Sequence, residues 1–403
     1  MDLPTSDRYH KMSIDNFDTE QLLKNARRQA KLRNYHDFPI ICADSHQYES
    51  ESINEIIEYI EDDVLHQIVS SAPGIMSRGR GGYQPVGGRV TRYPLRSIEQ
   101  TPADGIHRDI HLSRRFMDAI GIDYIGLFPT GMLSVGLLPQ KEIEVQYARA
   151  YMRWLTEKIL PHDPRVKGYV YLPFNSPDEA YKMLVDFGNK PGIIGALVTS
   201  PRYAPIHDNA YMKTYALIEE MGIPLTFHSG LNWNDPLMSV TNRFISAHAL
   251  GFTLYNVIHM CNWITNGLNE RFPNLDVIWT ESGIAWVPWL GQRLDNDYKM
   301  RTSECPSLKK LPSDYMRDMY YTSQPMEVPN DHTLLEATFK FINAEERLLY
   351  ASDYPHWDMD LPCTIYDLPF LDETAKRKIL GGNAVKLFNI DVSDRYPDYS
   401  VAA

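Results

Sequence analysis

The sequence predicts an α/β fold, a closed (β/α)8 barrel, on three observations. Short apolar, β-rich runs recur along the chain, a longer segment of helical character follows most of them, and the runs number eight. Strand and helix patterns in alternation imply parallel sheet units, and eight such units imply a closed barrel before a doubly wound open sheet. The runs are 39–46, 124–131, 166–173, 193–201, 223–230, 275–283, 319–325 and 347–356. Helical segments are expected at 142–160, 177–188, 209–221, 248–271 and 334–343, and a last helix at 372–388 closes the ring.

The remaining segments set the organisation. Residues 1–38 are polar and charged, with a helical stretch around 19–32, and are expected to form an N-terminal arm that packs on a partner. The barrel spans 39–390, and 391–403 is a tail. Glycine and arginine alternate within 74–106, an insertion after the first strand that is either a lid or a subunit contact. Residues 299–318 read as a charged, loop-rich interruption.

Composition excludes several classes. The 403 residues are 43% hydrophobic and 23% charged, ordinary for a globular protein. A net charge of −12 argues against nucleic-acid binding, which needs a basic surface. No apolar run approaches the roughly 18 residues of a membrane span, and the polar N-terminus lacks the plan of a signal peptide. A cytoplasmic location is therefore expected. The cysteines at 42, 261, 305 and 363 are far apart and read as free, packed thiols.

Catalytic groups of such barrels stand at the C-terminal ends of the strands. The first run ends in Asp44-Ser45-His46, with Glu49 following. Residues two apart on a strand share a face, so Asp44 and His46 point the same way. The fifth run ends at His228, the sixth at Glu281, and the eighth in Asp353-Tyr354-Pro355-His356-Trp357. Carboxylates gathered at one mouth repel each other, and a divalent cation resolves the conflict. Two imidazoles with two or more carboxylates suit zinc, manganese or iron better than calcium or magnesium. His259, within a helical segment, reads as a packing residue. Trp357 is placed at the pocket, and Arg202 and Tyr203, with Arg89 and Arg92, are candidates for holding a substrate carboxylate.

Asp44-x-His46, the His228 strand end, Arg271-Phe272-Pro273-Asn274-Leu275, Ser352-Asp353-Tyr354-Pro355-His356 and Gly382-Asn383-Ala384-Val385-Lys386-Leu387-Phe388 together resemble the amidohydrolase-related (amidohydrolase 2, aminocarboxymuconate-semialdehyde-decarboxylase-like) family. The resemblance covers roughly 39–390. It implies a TIM barrel of the metal-dependent hydrolase type, with Asp44, His46, His228 and Asp353 as metal ligands. Family members keep a histidine at the end of the sixth strand to activate water or substrate; this chain has Glu281 there.

That departure, with Glu49 and His356 nearby, makes the mouth unusually rich in carboxylates. It resembles the family's dinuclear oxygenase branch, such as the hydroxylase of 2-aminoisobutyrate monooxygenase. The main expectation is thus a non-haem dinuclear Fe or Mn/Fe monooxygenase component that hydroxylates a small organic or amino acid. Glu49 and Glu281 would serve a second metal, Glu281 and His356 would be catalytic, and a separate reductase or ferredoxin would supply electrons. The alternative is a mononuclear Zn or Mn hydrolase or decarboxylase of a small carboxylate substrate. A further alternative is a metal-binding, non-catalytic partner subunit. A homo- or hetero-oligomer with a paralogous barrel is expected in either setting.

Overall fold

Eight parallel strands form one sheet in sequence order, β1-β2-β3-β4-β5-β6-β7-β8. They are β1 Ile41–Gln47, β2 Tyr124–Pro129, β3 Val166–Tyr171, β4 Ile193–Thr199, β5 Leu225–His228, β6 Val277–Thr280, β7 Tyr320–Thr322 and β8 Leu348–Leu349. The computed structural model describes residues 19–71, 100–232, 235–328, 331–356, 358–397 and 399. Each strand lies within or overlaps one of the eight apolar runs. The runs extend beyond several strands at their C-terminal ends because the chain there stays buried while leaving the sheet. Residues 350–354 after β8 are all buried.

The ring closes between β1 and the segment following β8. Ala43 N donates to Tyr350 O at 2.8 Å, Asp353 N to Asp44 O at 2.9 Å and His46 N to Tyr354 O at 2.6 Å. Ser45 and Tyr354 form a parallel bridge. The first and last strand ends are thereby locked side by side, and the fold is a (β/α)8 barrel.

Helices cover the outside as the pattern predicts, with differences in detail. Lys141–Trp154 continues into a π-helical turn at Leu155–Ile159, and the helix after β5 runs from Phe244 to Thr265. The segment 299–318 is less loop-like than expected. Helix Trp286–Arg301 extends into it, and a short helix, Pro312–Met316, starts with proline in its first turn, where no amide bond is lost. The described part of the arm, helix Thr19–Arg33, packs on the barrel itself. Leu23, Ala26 and Ala30 are buried, and Arg33 forms a two-bond pair with Asp367, Nε donating to Oδ1 at 2.8 Å. Of the proposed insertion, residues 74–99 lie outside the described residues, as do Arg89, Arg92 and Trp357. Among the described residues no helix is long and apolar enough to cross a membrane, and the four cysteines are free.

The terminal helical layer, Glu373–Arg377, Lys378–Gly382 and Asn383–Phe388, seals the barrel at the entry to β1. Gly381 passes so close to that entry that a Cβ would fall 1.9 Å from Pro39 O. Gly381→Ala must therefore move backbone rather than a side chain. Its expected cost is about 3 kcal/mol, read as a lower urea midpoint at unchanged slope.

His259 is buried under the barrel wall, with Nε2 2.8 Å from Ser200 O. Burial depresses its pKa from 6.5 to about 4, with Arg202 adding to the effect and the Ser200 contact opposing it. A histidine with a depressed folded pKa binds fewer protons folded than unfolded. Stability is then retained above pH 6.5 and declines as pH falls toward 4. The decline amounts to about 3 kcal/mol. Urea unfolding across this window is expected to show it, and His259→Gln is expected to flatten the slope.

Candidate metal centre

β1 enters the site with an irregularity. Its pairing to β2 runs Cys42↔Ile125 and then Ser45↔Leu127, so three steps on β1 oppose two on β2. Such a bulge turns the strand locally and re-aims its side chains. Asp44 and His46 both project into the barrel with no exposed side-chain surface. His228 ends β5, hydrogen-bonded in register between Thr199 of β4 and Thr280 of β6. Glu281 and Asp353 follow β6 and the β8 segment. Both adopt the left-handed backbone region, with φ of 54° and 55°. That conformation costs a non-glycine residue about 1–3 kcal/mol, a strain found concentrated at functional sites. Here Glu281 N donates to Thr322 Oγ1 at 3.0 Å and Asp353 N to Asp44 O at 2.9 Å, holding both in place.

Asp44, His228 and Glu281 form one group of ligand type with His46, Asp353 and His356 form a second with it, and the cluster is measured from His46 Nε2. From it, His228 Nε2 is 3.1 Å away, Asp44 Oδ1 3.3 Å, Asp353 Oδ1 3.3 Å and Glu281 Oε2 3.7 Å. His228 Nε2 lies 3.6 Å from Asp44 Oδ1 and 3.4 Å from Glu281 Oε2. Donors bound at 2.0–2.2 Å to one tetrahedral or octahedral ion stand roughly 3.0–3.6 Å apart. The observed spacings have that character.

Four carboxylate oxygens of the cluster are buried without a hydrogen-bond partner: both of Asp44, Oε2 of Glu281 and Oδ2 of Asp353. Buried polar atoms are normally satisfied, so these orphans are what a bound cation would satisfy. The charges agree. Burial drives the Glu281 carboxyl well above the usual carboxylate range, opposed by His228 and reinforced by Asp44 and Asp358. Burial does the same to Asp353, with the negative charges of Glu281, Asp358 and Asp44 adding. Burial also acts on Asp44, but there His228 and the contacts with both histidines outweigh it and hold the carboxyl below the usual range. The residues fit a divalent metal by donor type, spacing and charge.

A layer behind the cluster fixes it. His228 Nδ1 is 2.8 Å from Ser229 O, which leaves Nε2 to face inward. His356 Nδ1 is 2.6 Å from Asp353 Oδ1. Phe128 stacks on Tyr169 at 4.1 Å and floors the site beneath His228. Gly126 leaves room for that stack, since a Cβ there would meet Tyr169 Oη at 2.7 Å.

Not every expected residue joins the cluster. Glu49 is buried, but Oε2 accepts the Thr130 amide at 2.8 Å and Oε1 the Met132 amide at 2.7 Å. It holds the turn after β2, and neither cluster of metal-ligating type among the described residues includes it. Arg202 is buried on protein acceptors: Thr199 O and Oγ1, Asn175 Oδ1 at 3.5 Å and Glu144 Oε1 at 3.4 Å. Its fork is occupied, so a substrate carboxylate finds no open donor pair there. Tyr203 is 67% exposed, its hydroxyl accepting from Asn232. Two contributors escaped the sequence reading. Asp358 acts electrostatically on Glu281 and Asp353. Thr130 has Oγ1 3.3 Å from both His46 Nδ1 and His356 Nε2.

Stripping metal and restoring manganese provides a direct test of the donor set. Ligand at a hundredfold excess over Kd stabilises by about 2.7 kcal/mol, so the thermal midpoint is expected to rise on addition of Mn2+. The same addition to His228→Ala is expected to leave the midpoint unmoved.

Comparison with known proteins places the chain among related barrels. The amidohydrolase family model matches residues 104–390. A gamma-resorcylate decarboxylase of Polaromonas sp. is 24% identical over 295 residues, covering 69% of this chain and 86% of the relative. The 2-amino-3-carboxymuconate-6-semialdehyde decarboxylase of Dictyostelium discoideum is 20% identical over 292 residues, covering 70% and 77%. The solved 5-carboxyvanillate decarboxylase of Sphingomonas paucimobilis shares the fold at a TM-score of 0.61 and 20% identity, over 88% of this chain and all of that one. A Polaromonas dihydroxybenzoic acid decarboxylase, solved with manganese and 2-nitroresorcinol, superposes at 0.61 with 18% identity, over 89% and 99%. These decarboxylase relatives overturn the expectation of a dinuclear Fe or Mn/Fe monooxygenase supplied by a reductase or ferredoxin. The backbone contacts that occupy Glu49 remove a ligand that the second metal required. The chain belongs to the amidohydrolase family.

Proposed function

We propose that this protein is a mononuclear, divalent-metal decarboxylase of a small carboxylate substrate, with manganese the favoured metal and an aromatic hydroxy acid the favoured substrate class. The observation that carries the reading is the buried cluster Asp44, His46, His228 and Glu281, with Asp353 joined to it at 3.3 Å from His46 Nε2, and the orphan carboxylate oxygens of Asp44, Glu281 and Asp353. The substrate class and the manganese are supported by the relatives, which are gamma-resorcylate and related decarboxylases, and by the solved Polaromonas enzyme that holds manganese.

Asp44, His46, His228 and Asp353 are the residues assigned to hold the metal. A divalent cation held there would supply positive charge for a substrate carboxylate or hydroxyl. Breaking the bond between the substrate carbon and its carboxylate releases CO2 and leaves an electron pair on carbon, which must take up one proton. Glu281 is the carboxyl placed to carry that proton. It stands at the end of β6, its Oε2 faces His228 Nε2 at 3.4 Å and makes no hydrogen bond among the described residues. Having given up its proton, Glu281 recovers it from water, so atoms and charge balance over a cycle. His356 keeps the Asp353 carboxylate oriented through its 2.6 Å contact. The buried aromatic pair Phe128 and Tyr169 lines the site beside His228 with apolar surface.

The reading is tested by CO2 release from a panel of hydroxybenzoates with the manganese-loaded protein. Release that depends on metal supports it; a fully loaded protein that releases none from any member contradicts it. Glu281→Gln is expected to retain the metal and lose about 10²–10⁴ in kcat, the range for removing a general acid. Loss of the metal in that variant would instead make Glu281 a ligand.

A further inference from the structure

We infer that Thr130 is a positioning residue of the metal site, joining two of its ligands through a one-directional hydrogen-bond chain. The inference rests on the proposed metal reading and adds a residue to it. The chain runs from His46 Nδ1 to Thr130 Oγ1 at 3.3 Å, from Thr130 Oγ1 to His356 Nε2 at 3.3 Å, and from His356 Nδ1 to Asp353 Oδ1 at 2.6 Å. Thr130 is the residue directly after β2. Its amide is fixed by Gln47 O at 3.1 Å and Glu49 Oε2 at 2.8 Å, so the hydroxyl has a rigid base.

The direction follows from the Asp353 end. A nitrogen and a carboxylate oxygen 2.6 Å apart must share a proton. A cation held by Asp353 would keep that carboxylate ionised, and the proton then belongs to His356 Nδ1. A neutral imidazole has one N–H, so His356 Nε2 is an acceptor and the Thr130 hydroxyl donates to it. The hydroxyl has one hydrogen, and its oxygen is then free only to accept from His46. His46 consequently carries its proton on Nδ1 and turns the Nε2 lone pair toward the cluster, where four other donor atoms stand within 3.1–3.7 Å. His228 reaches the same state by another route, through Ser229 O. Each imidazole thus has its own anchor, and that of His46 leads back to a second ligand, Asp353. Groups that orient metal-bound imidazoles in this way contribute about 10- to 100-fold in affinity.

Thr130→Val keeps the shape of the side chain and removes the hydroxyl; Thr130→Ser keeps the hydroxyl. Mn2+ affinity is measured for wild type and both variants by competition with a metal-sensitive fluorescent chelator. The expected result is a Kd weaker by about tenfold or more in T130V and within a few-fold of wild type in T130S. Wild-type affinity in T130V overturns the inference, and so does equal loss in both variants, which would make the role one of packing. If T130V does not fold, T130A takes its place in the same comparison. A wild-type protein that binds no Mn2+ refutes the metal reading itself, and the two failures are thereby told apart.

Discussion

Three carboxyl groups and two imidazoles share one buried volume at the mouth of this barrel, and the rest of the site follows from the need to neutralise them. Burial, with the neighbouring carboxylates adding, drives Glu281 and Asp353 toward their neutral forms, while Asp44 is held ionised by the histidines beside it. Such an arrangement is costly without a counter-charge. A divalent cation would supply it in the smallest volume, consistent with the spacing of the donors and the orphan oxygens.

The barrel brings these groups together by closing on itself. Asp44 and His46 lie near the start of the chain and Asp353 near its end, yet backbone hydrogen bonds between β1 and the 350–354 segment place them in contact. The central strand ends, at His228 and Glu281, complete the ring from the opposite wall. Asp44, His46 and His228 are therefore set by the sheet, while Glu281 and Asp353 stand just beyond their strands, tied to Thr322 Oγ1 and Asp44 O, and Thr130 and His356 form a supporting layer. Sites held by strands keep their geometry more tightly than sites held by loops.

Much of this was readable from sequence, and the exceptions have physical causes. The eight strands were legible because their apolar runs are buried on both faces and separated by helical patterns. Asp44, His46, His228, Glu281 and Asp353 stood out because polar residues at strand ends have few structural uses. Glu49 was misjudged because the chain after Gln47 turns into a short 3-10 helix, and the carboxylate meets backbone amides of the 130–132 turn instead of the cluster. Arg202 was misjudged for a similar reason. Its partner Glu144 lies on a helix 58 residues earlier, a pairing without a local signature. Thr130 also stood at a strand end, but a threonine there carries no metal signal, and its contacts are with two imidazoles from distant segments. The oxygen chemistry expected from Glu49 and Glu281 is overturned by the decarboxylase relatives.

The central claim is that one divalent metal sits among Asp44, His46, His228 and Asp353. Anomalous diffraction at the manganese edge from crystals of the manganese-loaded protein tests it most directly. A single strong peak per chain is expected, roughly 2.0–2.3 Å from the Nε2 atoms of His46 and His228. A peak elsewhere, a second peak beside Glu49, or no peak in protein shown to be loaded would contradict it.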